Sequence, residues 1–179
     1  MILPTRVRKH ALTAHVAASV GWLGAVAVFL ALSLAGWMSP DPAVVRGAYL
    51  LMDSAARAIL VPFAIASLVS GVVLGLGTPW GLFRHYWVFF KLLITTLSTL
   101  ILLIYLDTFA GMAGLASDPA AEIHVVRNPS PAVHSALALL VLGVAFVLGM
   151  YKPKGLTPWG WRAIRISGAK NDRQNGQDR

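Results

Sequence analysis

Two ionisable residues sit where a membrane helix can least accommodate them. His15 lies in the first long apolar run, HVAASVGWLGA, and Lys91 in the third, HYWVFFKLLITT. An ionisable group at the centre of a helix in hydrocarbon costs roughly 2.5–3.5 kcal/mol on insertion scales, so such residues turn inward and mark functional sites. Neutral imidazole is an axial ligand for heme iron. An ammonium at Lys91 suits a propionate, a porphyrinogen carboxylate or a quinone oxygen. The alternative for Lys91 is that its stem snorkels the charge to the headgroups.

The elements that must position them are membrane helices. Hydrophobic residues make up 57% of the 179 and charged ones 12%, which is too apolar for an ordinary soluble domain. Four runs, about 11–37, 48–77, 86–113 and 132–151, reach the ~20 residues that a bilayer crossing needs. Backbone polar groups in lipid must pair within their own segment, so these runs read as helices. The expected fold is all-α, an integral membrane four-helix bundle running up-down-up-down over residues 1–166. Residues 167–179 are polar and predict a disordered cytoplasmic tail. Pro62 predicts a kink in the second helix. Two ladders of small residues, Ala17-Gly21-Ala25 and Ser67-Gly71-Gly75, predict close helix packing.

The net charge of +8 is a topology signal. Arg6, Arg8, Lys9, Arg84, Lys152, Lys154, Arg162 and Arg165 fall at one end of such a bundle, while Arg46 and Arg127 share the other with Asp41, Asp118 and Glu122. The positive-inside rule then puts both termini in the cytoplasm of a multi-pass plasma-membrane protein. No nucleic-acid motif accompanies the charge, so nucleic acid is not an expected partner. The absence of cysteine excludes thiolate ligands, disulfides and iron–sulfur clusters. No phosphate loop, HExxH or nucleophile elbow occurs.

His15 lies roughly 13 Å from the midplane toward the basic side, and its helical face continues through Ala18, Ser19 and Trp22. Lys91 reaches a similar depth, with Trp87 one turn before it and Thr95 and Ser98 after it. His134, at the start of the fourth helix, lies ~12 Å beyond the midplane. The two histidines are then roughly 25 Å apart along the normal, so they cannot share one iron. Two separate heme-iron sites follow if both ligate. Sixth-ligand candidates are His10, His85 and Met150 on one side, where the iron could also lack a sixth ligand, and His124, Met52 and Met112 on the other. Near His134, Arg57 and Asp107 have comparable depth, with Asp53 and Tyr105 close by. They predict either an acceptor site for propionates, protons or a quinone, or only a local Asp53–Arg57 pair.

The string His15-x6-Trp22-Leu23-Gly24-Ala25 resembles the first helix of HemJ-type protoporphyrinogen oxidases and CopD-type copper-resistance membrane domains. Trp87-x3-Lys91 is similar to the third-helix motif of the HemJ type, and Tyr151-Lys152-Pro153-Lys154-Gly155 to its Lys-Pro end. The chain departs from the HemJ pattern where a later histidine of the third helix would fall, at Leu103-Ile104-Tyr105-Leu106-Asp107. The resemblance implies a heme-associated four-helix bundle with His15 as axial-ligand candidate and Lys91 as the functional polar group. Together with the residue reading above, the expectation is a heme b-binding redox protein with Trp22, Trp87, His134 and Arg57 around the cofactors. Its substrate would be a quinone or a porphyrin-type molecule. Two alternatives stand beside this one: a copper or small-ion transporter of the CopD type, and a non-catalytic subunit that packs as a homodimer or within a larger membrane complex.

Overall fold

The computed structural model describes residues 3–163, 165 and 166, so the expected tail at 167–179 lies outside the described residues. Four long apolar helices, each able to cross a bilayer, make up an all-α bundle: Thr5–Met38, Pro42–Gly77, Tyr86–Ser117 and the segment Ile123–Tyr151. The last comprises a single turn, Ile123–Val126, and the fourth helix proper, Ser130–Tyr151. Each helix packs on its two sequence neighbours and the fourth closes on the first, giving a square of antiparallel helices.

The ends of the square are tied by polar contacts to backbone oxygens. At the loop end, the Arg46 guanidinium donates to the carbonyls of Ala116, Asp118 and Ala121, and Arg127 donates to those of Trp37 and Ser39. The Tyr49 hydroxyl both donates to Asn128 O and accepts from Asn128 N. Helix ends leave carbonyls without intrahelical partners, and these side chains satisfy them. At the opposite end, Leu3 N bonds Gly77 O, and Thr157 donates to the carbonyls of Phe83 and Arg84.

The second helix is not a plain α-helix. It contains a π turn at Ala56–Leu60, where Val61 N–H reaches back to Ala56 O. Pro62 supplies the cause, because it offers no N–H and its ring crowds the carbonyl four residues back. A wider turn accommodates both. The kink expected at Pro62 is therefore realised as a π turn just before it. It also sets the register. Met52, Ala56, Leu60 and Ala64 are all buried although they recur every four residues, a step that drifts by about 40° on a straight helix. The wide turn keeps them on one face.

Of the two small-residue ladders, the one in the second helix packs as expected. Ser67 and Gly75 are buried, and Gly71 faces the His15 ring. The first-helix ladder is corrected. Ala17 is exposed, and the buried face runs through His15, Ala18, Trp22, Val26, Phe29, Ser33 and Gly36. Gly21 still permits one close approach, since a Cβ there would fall 2.6 Å from the Phe63 ring. The larger residues of the first helix claim the interior because burial favours them more than alanine.

Candidate functional site

The polar site nearer the basic end joins three helices. His15 is buried, and its Nδ1 lies 3.1 Å from Ser67 O and 3.0 Å from Ser70 Oγ. The Ser70 hydroxyl donates its own hydrogen to Ala66 O, so toward His15 it presents a lone pair. Nδ1 must therefore carry the proton. The other ring nitrogen, Nε2, lies 3.1 Å from Lys91 Nζ, and as the unprotonated nitrogen it accepts from the ammonium. Lys91 thus points into the bundle and does not snorkel.

Backbone space shapes this pair. A Cβ on Gly71 would lie 3.1 Å from His15 Cε1, and one on Gly149 would lie 3.0 Å from Lys91 Nζ. Ser19 bonds Ser67, extending the network along the first helix. Thr95, the expected continuation of the polar stripe, instead donates to Lys91 O and Leu92 O on its own helix. Trp87 lies one turn before Lys91 and packs edge-on to Trp80. Its Nε1 is the one buried side-chain nitrogen or oxygen without a hydrogen-bond partner among the described residues.

Toward the loop end the fourth helix brings His134 against the third. Its ring lies 4.4 Å from that of Tyr105 at 33°, and Tyr105 continues an aromatic series through Phe109 to Phe29. His134 Nδ1 is 2.8 Å from Ser130 O, which fixes the proton on Nδ1. Nε2 has no hydrogen-bond partner among the described residues. Ser130 Oγ connects His134 Nδ1, at 3.3 Å, to the Tyr105 hydroxyl at 2.5 Å.

His134 and Tyr105 line a cavity of about 470 Å³ between the third and fourth helices. Its floor is Trp22, Val26, Phe29 and Leu60, and its walls carry Ser98 and Ser135 among aliphatic side chains. The volume lies within the ~300–1,000 Å³ of small-molecule sites, which are apolar with a few placed polar groups.

The expected cluster of His134, Arg57 and Asp107 is not assembled. Arg57 bonds Asp53 Oδ1 at 3.0 Å on the half-exposed flank of the second helix, one residue past buried Ala56. It does not line the cavity. Asp107 is exposed, two residues from buried Phe109 and so on nearly the opposite side of the third helix. Equal depth placed them together in the sequence, but helical phase separates them.

The proposed ligands fare differently as well. His15 has both ring nitrogens engaged, so it does not fit an axial ligand while Lys91 holds Nε2. His134 has the arrangement of a ligating imidazole, with one nitrogen anchored by a carbonyl and the other free. Among the described residues no Lys or Arg lines its cavity, so heme propionates would find no cation among them. Met52 is buried and receives the Ser33 hydroxyl, and Met112 is also buried, but neither lines the cavity. His124 is exposed and pairs with Glu122, His85 bonds Trp80 O, and His10 and Met150 are exposed. Among the described residues, no three His, Asp or Glu side chains gather closely enough to hold a metal ion.

Of the residues singled out in the sequence, His15 and Lys91 meet in one site, while Trp22, expected on the His15 face, lines the cavity with His134; Ser70 and Gly149 were not singled out. Ser70 had a signal, since it lies three residues after Ser67 and so shares its face. Gly149 had none. Comparison with protein-family models, with curated proteins and with solved structures gives no match, so neither the HemJ-type nor the CopD-type group is identified.

Proposed function

We propose that this chain is a membrane redox protein whose lateral cavity takes a neutral, lipid-soluble ring of quinone type. The observation that supports it best is the cavity itself: apolar and aromatic walls, no lining cation among the described residues, and polar groups confined to Ser98, Ser135, Tyr105, His134 and the Trp22 indole N–H. A quinone offers carbonyl oxygens that need only one or two donors, and its tail belongs in lipid. Complete reduction of a quinone takes two electrons and two protons. The run from His134 through Ser130 to Tyr105 is a hydrogen-bonded route for the protons. The electrons come from a redox partner. His15 and Lys91, on this reading, hold a charged group inside the bundle below the cavity and set the local potential.

A second reading has heme b in the same cavity, favoured by the free His134 Nε2. Heme would supply one-electron chemistry at its iron, with His134 as the residue that holds it. The experiment that separates the two readings uses the detergent-purified full chain. Its reduced-minus-oxidised visible spectrum is recorded first, followed by an equilibrium titration with a short-chain ubiquinone. Saturable quinone binding without a b-type α-band supports the first reading. An α-band that is lost in His134→Ala supports the second. Neither signal leaves a non-catalytic subunit as the account of the chain.

In orientation, the termini and the basic end face the cytoplasm of the plasma membrane. The chain has no cysteine, so single introduced cysteines report cleanly. An impermeant maleimide applied to intact cells should label Ala120→Cys and leave Thr78→Cys unlabelled. The reverse pattern would overturn the assignment.

A further inference from the structure

Asp107 faces out of the bundle from within the third membrane helix, and its carboxylate makes no ion pair or hydrogen bond among the described residues. A carboxylate in that position, turned to hydrocarbon, is costly. Its surroundings are permissive. Gly111 and Gly114 follow it at four and seven residues, both exposed, and a Cβ added at either would meet nothing within 4 Å. Small residues on a lipid-facing surface allow a second backbone to come close, but they do not name the partner. The charges do.

The adjacent second helix exposes Arg57, half-exposed beside Asp53. Its depth follows from Arg46, whose guanidinium is anchored on Ala116 O of the third helix. Arg57 lies eleven residues inward of Arg46, and Asp107 nine residues inward of Ala116. At 1.5 Å per residue both lie roughly two and a half to three helical turns inward of that tie. They stand in the same half of neighbouring helices and do not pair with each other among the described residues.

We infer that two copies of this chain associate through the outer-half faces of the second and third helices, with Arg57 of each opposite Asp107 of the partner subunit. A two-fold axis along the membrane normal preserves depth and exchanges the two flanks of a face. It therefore sets each cation against the partner's anion, twice, by symmetry. The patch is self-complementary, so a second copy fits it better than an unrelated helix would. Asp53 keeps its bond to Arg57 and shares the cation. Gly111 and Gly114 set the closeness of approach.

The test counts subunits. The full chain carrying Ala120→Cys as its dye site is reconstituted at low protein-to-lipid ratio and bleached as single molecules. Two-step bleaching is expected for the parent. Arg57→Asp, which sets like charges against one another, should lower the dimer association constant by roughly tenfold or more, and Arg57→Asp with Asp107→Arg should restore it. Gly111→Leu adds apolar bulk where the monomer has open space, so it should insert normally and weaken the dimer. One-step bleaching of the parent overturns the inference, as does a double variant no better than the single. If Arg57→Asp fails to insert, unchanged dimerisation of Gly111→Leu overturns it alone.

Discussion

Substituting His15 by leucine should destabilise the bundle by about 2–3 kcal/mol, the range for losing a hydrogen bond to a charged group and leaving that group unsatisfied. His15 Nε2 is the acceptor for the Lys91 ammonium, and its Nδ1–H serves Ser67 O and Ser70 Oγ. Leucine removes both and leaves a cation among apolar side chains. Lys91→Met is a different perturbation. It discards the charge and leaves a neutral imidazole still held by Ser67, so its cost should stay within about 1 kcal/mol. In the double variant there is no stranded cation, and its stability should return close to that of Lys91→Met. Thermal or denaturant unfolding in detergent, followed by circular dichroism, reads all three. Equal single effects that simply add would show that the two side chains do not act as a pair.

Ala138→Trp should abolish ligand binding with little effect on the fold. Ala138 lines the cavity between the third and fourth helices and is only partly buried. An indole there can extend into about 470 Å³ of space already present, which avoids the strain of overpacking a filled core. Quinone affinity should fall by at least roughly tenfold, because binding needs a pocket that encloses most of the ring. Unfolding should be unchanged or slightly more difficult. His134→Ala should weaken binding less, since it removes one polar contact and enlarges the site. A quinone affinity untouched by Ala138→Trp would place the ligand elsewhere.

Much of the architecture was legible because lipid enforces simple rules. Length and hydropathy mark the four helices, and the cost of ionisable groups marks His15 and Lys91 as inward-facing. Depth could be read from residue number, which is why His15 and Lys91 were correctly matched. Rotation about the helix axis could not. The π turn at Ala56–Leu60 shifts the phase of the second helix, and no pattern in the sequence states which flank Arg57 will occupy. The same ambiguity grouped Asp107 with His134 when the two face apart. Ala17, Gly21 and Ala25 formed a clean ladder, yet the face that buried itself carried Trp22, Val26 and Phe29. The cavity was the least legible feature, since it arises from the spacing of two helices and no motif encodes that.

The most direct test is to ask where a lipid-soluble ring binds. A photoreactive quinone analogue applied to the full chain in lipid nanodiscs, with the crosslinked peptides mapped by mass spectrometry, addresses this. Labelling at Ser98–Phe109 and His134–Val141, displaced by excess quinone and absent in Ala138→Trp, is the predicted result. Labelling spread over lipid-facing residues such as Val28 and Leu76, indifferent to competitor, would contradict the account.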